Sequence, residues 1–539
     1  MRIAMAQLNL TVGDIEGNTT KTIEALHAAL AQKAQIVVYP ELTVCGYSPR
    51  DLILNRSFIE QNLAAIQKIA AEVPAEIVAV AGFIDRIGDR LYNSAAVMQA
   101  GKIVAKRYKT LLPNYDVFDE KRYFTSAESN VPVTLEIDGQ PFRLGVEICE
   151  DLWDSNNTVK ITADLAAQGC DLVVNLSASP FEIGKRNIRR ELIWHKVRDF
   201  KVPFVLVNLI GGQDELIFDG NSLVFSVDGR LVGHAGAFEE RIEVCELDVG
   251  HATEFSLPNE DRAENLYKAL VLGVRDYFRK TGFRRAVIGL SGGIDSALVA
   301  CIAREALGAA NVQCVSMPSR FTAQMSIDDA RTLAERLGLR FELVAIDAIA
   351  KSYEDELAPL FSDAPRDITE ENIQSRVRGN ILMAVANKFG DLVLATGNKT
   401  EIALGYCTMY GDMAGALAVI GDLNKSDVYL LADYINRNAG KPVIPQRIID
   451  RPPSAELTEN QVDPFDYEVV SPLVGLIINE HKIYEELVAL GYAEELVSDI
   501  MNKIRIAEYK RHQSAPVLKV TAKAFGIGRR FPIVNQFRR

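Results

Sequence analysis

Two large α/β domains are predicted for this chain, on three observations. Its 539 residues are too many for one ordinary domain. Short apolar runs of strand length alternate with stretches of helical spacing, the pattern of layered α/β folds. Midway, residues 251–262 lose all periodicity. The expected division is therefore 1–250, a linker at 251–262, and 263–539.

Composition narrows the class of protein. Hydrophobic residues make up 48% of the chain, enough for two sizeable cores. The net charge of −13 argues against nonspecific nucleic-acid binding but leaves room for a local basic pocket. The seven cysteines are scattered, odd in number and form no Cys-x-x-Cys pair. That argues against a disulfide framework or a zinc site and fits a reducing compartment. No signal peptide precedes the first strand, and no apolar run reaches membrane-spanning length. A soluble, cytoplasmic protein is expected, with neither a membrane nor a nucleic acid as partner. There is no internal repeat and no low-complexity tract.

In chain order, residues 2–10 suit a strand, and 18–34 suit a helix with Ile23, Leu26 and Leu30 on its apolar face. Ile36-Val37-Val38-Tyr39 is a short buried strand ending at Pro40-Glu41. Residues 77–83 form another strand. Residues 93–99 and 103–107 pair as a hairpin, with Lys109 directly after it. Residues 143–148 form a strand that delivers Cys149, flanked by Glu150 and Asp151.

Taken singly, these residues are ordinary. Glu41 suits a paired surface acid, Lys109 a solvated lysine, and Cys149 a buried small hydrophobe. As a set they carry chemistry. A thiol nucleophile needs a base to take its proton and a cation to hold developing negative charge. Glu41 can be the base, Lys109 the cation and Cys149 the nucleophile. Each follows a predicted strand, so all three can converge at one edge of a sandwich.

Pro40-Glu41, Tyr108-Lys109 and Glu147-Ile148-Cys149-Glu150-Asp151, in that order, resemble the nitrilase (carbon–nitrogen hydrolase) superfamily over residues 1–250. The resemblance implies an αββα sandwich with an amide-cleaving Glu-Lys-Cys site. In the superfamily's glutamine-using members, the loop entered from Leu172-Val173-Val174-Asn175-Leu176 holds the amino acid. This implies glutamine contacts from Tyr115, Ser179 and Lys185, with Glu120 as a second acid that orders the site. An ordinary polar loop is the competing reading of each. A helix at 186–200, a strand at 202–209, a hairpin turning at Asp228-Gly229 and a strand at 242–247 complete this half.

In the second half, a helix at 263–280 leads to the apolar run Ala286-Val287-Ile288. Then come Gly289-Leu290-Ser291-Gly292-Gly293-Ile294-Asp295-Ser296 and a helical run at 297–303. Glycines let backbone N–H groups approach a ligand closely, and the helix N-terminus adds a positive dipole end. Ser291 and Ser296 can donate as well, so the loop suits phosphate groups. It lacks the Gly-Lys-Ser/Thr ending of a Walker A loop. The pattern resembles the pyrophosphate loop of ATP pyrophosphatases, which implies that Asp295 binds magnesium.

Further on, residues 312–317, 341–346 and 392–395 read as strands, and 326–337 as a helix. The alternation predicts a doubly wound parallel sheet with ligand at its C-terminal strand ends. The polar loop Pro318-Ser319-Arg320-Phe321-Thr322 is placed to cover a nucleotide. Residues 362–370, polar and acidic, are expected to be a mobile loop. Asn372, Arg376 and Asn380 share one helix face. Arg378 is expected on a solvated face or in a surface pair.

The Ser-Gly-Gly-Ile-Asp-Ser loop, Asn372-Ile373-Gln374-x-Arg376, Thr396-Gly397-Asn398-Lys399-x-Glu401 and Pro452-x-Ser454-Ala455-Glu456-Leu457 together resemble the NAD synthetase family. The nitrilase-like half in front makes the chain similar to the family's glutamine-dependent branch. Ammonia-using members carry Thr-Asp-His-x-x-Glu in place of Thr396-Gly397-Asn398-Lys399-Thr400-Glu401, so the local roles of Asn398 and Lys399 stay open.

The resemblance implies ATP contacts from Gly289, Leu290, Ser291, Gly292, Gly293, Ile294, Asp295, Ser296 and Thr396, with Lys425 and Ser454 near the phosphates. Asp295 and Glu401 would hold Mg2+. Asn372, Glu401 and Lys510 would contact deamido-NAD. The implied reaction adenylates the nicotinate carboxylate of deamido-NAD and displaces AMP with ammonia released from glutamine, along a buried passage. A homo-oligomer is also implied. Alternatives are another glutamine-dependent ATP-pyrophosphatase amidotransferase, such as a GMP or asparagine synthetase, or an ammonia-only synthetase with an idle nitrilase-like module. A sulfur-transfer enzyme acting on transfer RNA fits the ATP loop but not the acidic balance.

Overall fold

The computed structural model describes residues 1–247, 255–257, 259–362 and 364–537. They form two compact units, Met1–Glu260 and Asp261–Arg539. Residues 248–250 at the end of the first expected domain, and 251–254 and 258 of the expected linker, lie outside the described residues. Arg262, expected as the last linker residue, is already the first residue of a helix.

The first unit contains the strands β1 (Arg2–Gln7), β2 (Ile36–Val38), β3 (Val78–Ile87), β4 (Arg90–Gln99), β5 (Lys102–Tyr108), β6 (Val133–Ile137) and β7 (Gln140–Ile148). They are followed by β8 (Leu172–Ser177), β9 (Phe204–Asn208), β10 (Ile210–Gln213), β11 (Leu216–Asp219), β12 (Leu223–Phe225), β13 (Leu231–His234) and β14 (Arg241–Glu246). Its helices are α1 (Ile15–Ala31), α2 (Arg56–Glu72), α3 (Ile161–Ala167) and α4 (Lys185–Phe200). Two six-stranded sheets form, in the orders β14-β1-β2-β3-β4-β5 and β13-β12-β9-β8-β7-β6, with β10 and β11 as a separate hairpin.

Strand alternation sets the layers. In β1, Ile3 and Met5 pack between the sheets, among Ile36, Val38, Val146, Ile148 and Leu176. Ala4 and Ala6 face the other way, into the core under α1 and α2 that holds Leu26, Ala29, Ile66 and Ile69. On the far side, Val173, Phe204 and Leu206 pack against Ile193 and Val197 of α4. The result is the αββα sandwich the resemblance implies. Burying each Ile, Val or Leu contributes about 1.5–3 kcal/mol relative to exposure.

The second unit opens with α5 (Arg262–Thr281), then runs β15 (Ala286–Gly289), α6 (Ile294–Leu307), β16 (Val312–Ser316), α7 (Gln324–Leu337), β17 (Arg340–Leu343), α8 (Asp347–Phe361), α9 (Ile368–Phe389) and β18 (Leu392–Ala395). It ends with α10 (Lys399–Leu404), β19 (Leu417–Ala418), α11 (Lys425–Asn438), α12 (Gln446–Asp450), α13 (Tyr467–Asn479), α14 (Tyr484–Ala489), α15 (Glu494–Ile506) and α16 (Glu508–Arg511). The five strands are parallel in the order β17-β16-β15-β18-β19. The chain winds outward from β15 on one side and then from β18 on the other. This is the expected doubly wound sheet, and its topological switch point lies between β15 and β18, where such folds bind ligands.

One expected loop is partly helix. Residues 368–370 form the first turn of α9, where Asp367 caps the Thr369 N–H and Glu370 reaches back to the Asp367 N–H. The acidic residues that read as loop are a capping box complementing the helix dipole. Among the described residues, no helix is long and apolar enough to cross a membrane.

Candidate active sites

In the first unit, strand ends bring three distant residues together. Glu41 lies just past β2, Lys109 directly after β5 and Cys149 directly after β7. The Lys109 Nζ donates to Glu41 Oε1 at 2.7 Å and to Glu120 Oε1 at 2.8 Å. Asn93 Nδ2 donates to Glu41 Oε1 at 2.7 Å, and the Ala178 N–H to Glu41 Oε2 at 3.0 Å. Tyr47 OH donates to Glu120 Oε1 at 2.9 Å. All these side chains are buried.

Burial at this density perturbs every group. Burial works against the Lys109 ammonium, but Glu120 and Glu41 outweigh it and hold its pKa well above the usual value. Glu120 is pushed up to about 7, mainly by burial and partly by Glu41, with Lys109 opposing. Burial and then Glu41 raise the Cys149 thiol well above its ordinary range, while Lys109 and the Ala178 N–H pull the other way. The resting thiol is therefore protonated, and an adjacent base is needed to activate it. Cys149 also sits at φ +44°, a left-handed backbone that costs a residue with a Cβ about 1–3 kcal/mol. The turn Cys149–Leu152 holds it there.

The expected glutamine contacts gather partly around Glu150. Tyr115, half exposed, donates to both Glu150 carboxylate oxygens at 3.1 and 3.0 Å. Lys185, the first residue of α4, lies over the Trp153 ring at 5.9 Å and helps hold down the pKa of Glu150, which burial raises. Ser179 is buried past the end of β8, its backbone held on both sides by Asn208 at 2.8 and 3.2 Å.

In the second unit, the loop between β15 and α6 closes on itself. Ser291 and Ser296 hydroxyls meet at 3.1 Å, and the Gly293 N–H donates to Ser291 Oγ at 3.2 Å. Gly292 has φ +84°, and a Cβ there would lie 2.2 Å from the Ser326 carbonyl oxygen. Only glycine fits that approach. Asp295 follows in the first turn of α6.

Across the switch point, β18 ends before Thr396, and Asn398 caps α10. Asn398 Nδ2 donates to Asp295 Oδ1 at 3.1 Å. The Lys425 ammonium contacts Asp295 Oδ2 and lies 3.8 Å from Glu401 Oε1 and 4.8 Å from the Tyr467 ring centre. Tyr467 OH donates to Glu401 Oε1 at 3.2 Å. Burial and then Asp295 push Glu401 up to about 8, with Lys425 opposing.

Two carboxylates that converge on one lysine, one of them pushed up by burial and by the other's charge, suit a divalent cation. Mg2+ is commonly held by one or two carboxylates plus substrate phosphates, so Asp295 and Glu401 fit it. Among the described residues, no group of three or more His, Cys, Asp or Glu is arranged for a metal.

The remaining expected residues are more dispersed. Ser454 Oγ donates to the Gln461 carbonyl and accepts from the Glu456 N–H at 3.2 Å. Asn372 accepts from Thr408 Oγ1 at 2.7 Å, and Lys510 donates to the carbonyls of Gly405 and Cys407 at 2.7 and 2.8 Å. Both therefore flank the segment that follows α10. A cavity of about 520 Å³ opens beside it, lined in part by Arg376, Asn380 and Tyr410.

One sequence expectation changes here, and one open role is filled. Arg378 is not in a surface pair: it donates to the Met317 carbonyl at 2.9 Å, and burial lowers its pKa to about 10. Lys399, whose role the motif leaves open, sits in a buried polar network. It is fully buried and donates to Asp422, Asn479, Thr521 and the Lys523 carbonyl at 2.7–2.8 Å. Sequence reasoning also missed Asn93, Tyr47, Glu150, Tyr467 and Arg451, whose guanidinium donates to the Gly292 carbonyl at 3.0 Å. Two of these had a local signal: Glu150 directly follows Cys149, and Arg451 stands directly before the Pro452-x-Ser454 motif.

Comparison with known proteins gives two matches on one chain. Residues 2–256 match the carbon-nitrogen hydrolase family, and residues 266–514 the NAD synthase family. The glutamine-dependent NAD(+) synthetase of Synechocystis sp. is 44% identical over 99% of both chains, and that of Thermotoga maritima 42% identical over 100% of this chain and 99% of its own. A solved structure of glutamine-dependent NAD+ synthetase from Acinetobacter baumannii, in complex with ADP, is 40% identical and covers 99% of this chain and 98% of its own, with a TM-score of 0.80.

Proposed function

The chain belongs to the glutamine-dependent NAD(+) synthetase family, and from that premise we propose how its residues divide the reaction. The enzyme amidates deamido-NAD to NAD with ATP, using ammonia released from glutamine, and yields AMP, pyrophosphate and glutamate.

The first unit is the glutaminase. Cys149 attacks the glutamine amide while Glu41 takes the thiol proton and passes it to the departing ammonia. Lys109 stabilises the tetrahedral oxyanion, and water then frees glutamate with Glu41 as base. Glu120 orders Lys109, and Tyr115, Ser179 and Lys185 hold the amino acid. The observation that carries this reading is the buried Lys109 bridge between Glu41 and Glu120, with Cys149 buried in the field of Glu41 and Lys109.

The second unit is the synthetase. The Gly289–Ser296 loop and Thr396 bind ATP, with Lys425 and Ser454 near its phosphates. Asn372, Glu401 and Lys510 contact deamido-NAD. Asp295 and Glu401 would hold Mg2+, which would supply charge neutralisation for the departing pyrophosphate. Support comes from the convergence of Asp295, Glu401 and Lys425 at the switch point of the sheet.

Glu401→Gln tests this half. NAD synthesis from glutamine and from ammonium falls together, while glutamine hydrolysis continues. Survival of ammonium-driven synthesis at the wild-type rate would remove Glu401 from the site.

The proposed location is the cytoplasm, supported by seven free cysteines. A homo-oligomer is the proposed state, supported by exposed Tyr353, Leu360, Ile368 and Phe389 on α8 and α9. Sedimentation of the full chain checks it.

A further inference from the structure

Asp151 takes no part in the chemistry described above, yet it is completely buried beside it. Its Oδ1 accepts the backbone N–H groups of Thr110 at 3.0 Å and Leu111 at 2.8 Å. Its Oδ2 accepts the Ile148 N–H at 3.1 Å. Thr110 and Leu111 directly follow Lys109, and Ile148 directly precedes Cys149. The two segments leave different sheets, since β5 lies in one and β7 in the other. One carboxylate therefore ties the backbone after the cation to the backbone before the nucleophile, across the seam between the sheets.

We infer that Asp151 is a positioning residue of the glutaminase half-reaction, clamping Lys109 in register with Cys149. The inference rests on the glutaminase reading above. The tip of Lys109 is already fixed by Glu41 and Glu120; the Asp151 clamp fixes its base. The clamp must be a carboxylate because all three partners are donors, and a carboxylate accepts on both oxygens. An asparagine turns one of those acceptors into a donor facing another donor. The clamp matters for rate because attack on an amide and stabilisation of its oxyanion must happen in one geometry, and a misplacement of about 1 Å costs about 100-fold.

The test uses Asp151→Asn and Asp151→Ala in the full chain. Four quantities are measured: kcat and KM for glutamine hydrolysis, NAD synthesis from ammonium, and Cys149 alkylation by iodoacetamide. The expected kcat falls at least about tenfold in the asparagine variant and about 100-fold in the alanine variant, with KM for glutamine within about threefold. Ammonium-driven synthesis holds within about twofold, and alkylation within about threefold, because alkylation by a neutral reagent needs the Cys149 thiolate but develops no oxyanion for an aligned Lys109 to hold.

Wild-type kcat in the alanine variant overturns the assignment. A joint fall of glutamine- and ammonium-driven synthesis overturns it too, since Asp151 would then support the fold as a whole. Cys149→Ala is assayed beside them: if it still hydrolyses glutamine, the glutaminase reading itself fails, whatever Asp151 does.

Discussion

Lys109 donates to Glu41 at 2.7 Å with neither side chain open to water. The pair is supported by Glu120, which accepts a second Lys109 N–H, and by Asn93 and the Ala178 N–H, which donate to Glu41. Removing one partner of such a pair leaves an uncompensated buried charge, which costs about 3–5 kcal/mol.

Lys109→Met is therefore expected to destabilise the first unit by about 3–5 kcal/mol. It also abolishes glutamine hydrolysis. Because Glu120 then lies beside Glu41 without the cation that held its pKa down, it takes up a proton more readily, and the destabilisation is smaller at pH 5.5 than at pH 7.5. Urea unfolding of wild type and variant at both pH values measures this. Equal destabilisation at the two pH values contradicts the charge argument.

Gly292→Ala targets the other unit. The new methyl meets the Ser326 carbonyl at a position with φ +84°, and the left-handed backbone alone costs about 1–2 kcal/mol. The expected result is a KM for ATP raised at least about tenfold, since 1.4 kcal/mol is a factor of ten. Glutamine hydrolysis stays at the wild-type rate. Steady-state kinetics with varied ATP checks it, and an unchanged KM would mean the loop does not carry the nucleotide.

The fold and the two sites were legible in the sequence to different depths, for physical reasons. Apolar runs such as Ile36-Val37-Val38 mark strands, and the Gly289–Ser296 loop marks a strand-to-helix turn. Strand order does not show, because β2 and β8 are buried along their whole length and β1 along nearly all of it, so no face is marked for one neighbour. The spacing assigns no element to α2 or α8. Glu41, Lys109 and Cys149 are visible because each ends a strand. Asn93 and Tyr47 are not, since they act on partners 52 and 73 residues away and have no local pattern. Lys399 shows the reverse hazard: a lysine inside a ligand-like motif that serves a buried network instead.

Glu147 gives a pH dependence. It is buried two residues before Cys149, accepts from Thr162 at 2.6 Å and Asn175 at 3.3 Å, and burial pushes its pKa from 4.5 to about 7, with Lys196 opposing. The folded state holds this proton more tightly than the unfolded chain does. Its contribution to stability is full below pH 4.5 and is lost as pH rises towards 7. Glu147→Gln removes that decline, on the order of 1–3 kcal/mol between pH 4.5 and 7. Unfolding free energies of wild type and variant across that window give the difference. Parallel curves would contradict the raised pKa.

The central claim is that one thiol supplies the ammonia and a separate site uses it. Cys149→Ala measures it most directly, with ATP, magnesium and deamido-NAD, and either glutamine or ammonium as the nitrogen donor. NAD, AMP and glutamate are followed together. The account predicts that the variant loses glutamine-driven synthesis and glutamate release while keeping ammonium-driven synthesis and AMP formation. Glutamine-driven synthesis at the wild-type rate, or loss of synthesis from both donors in a folded variant, would contradict it.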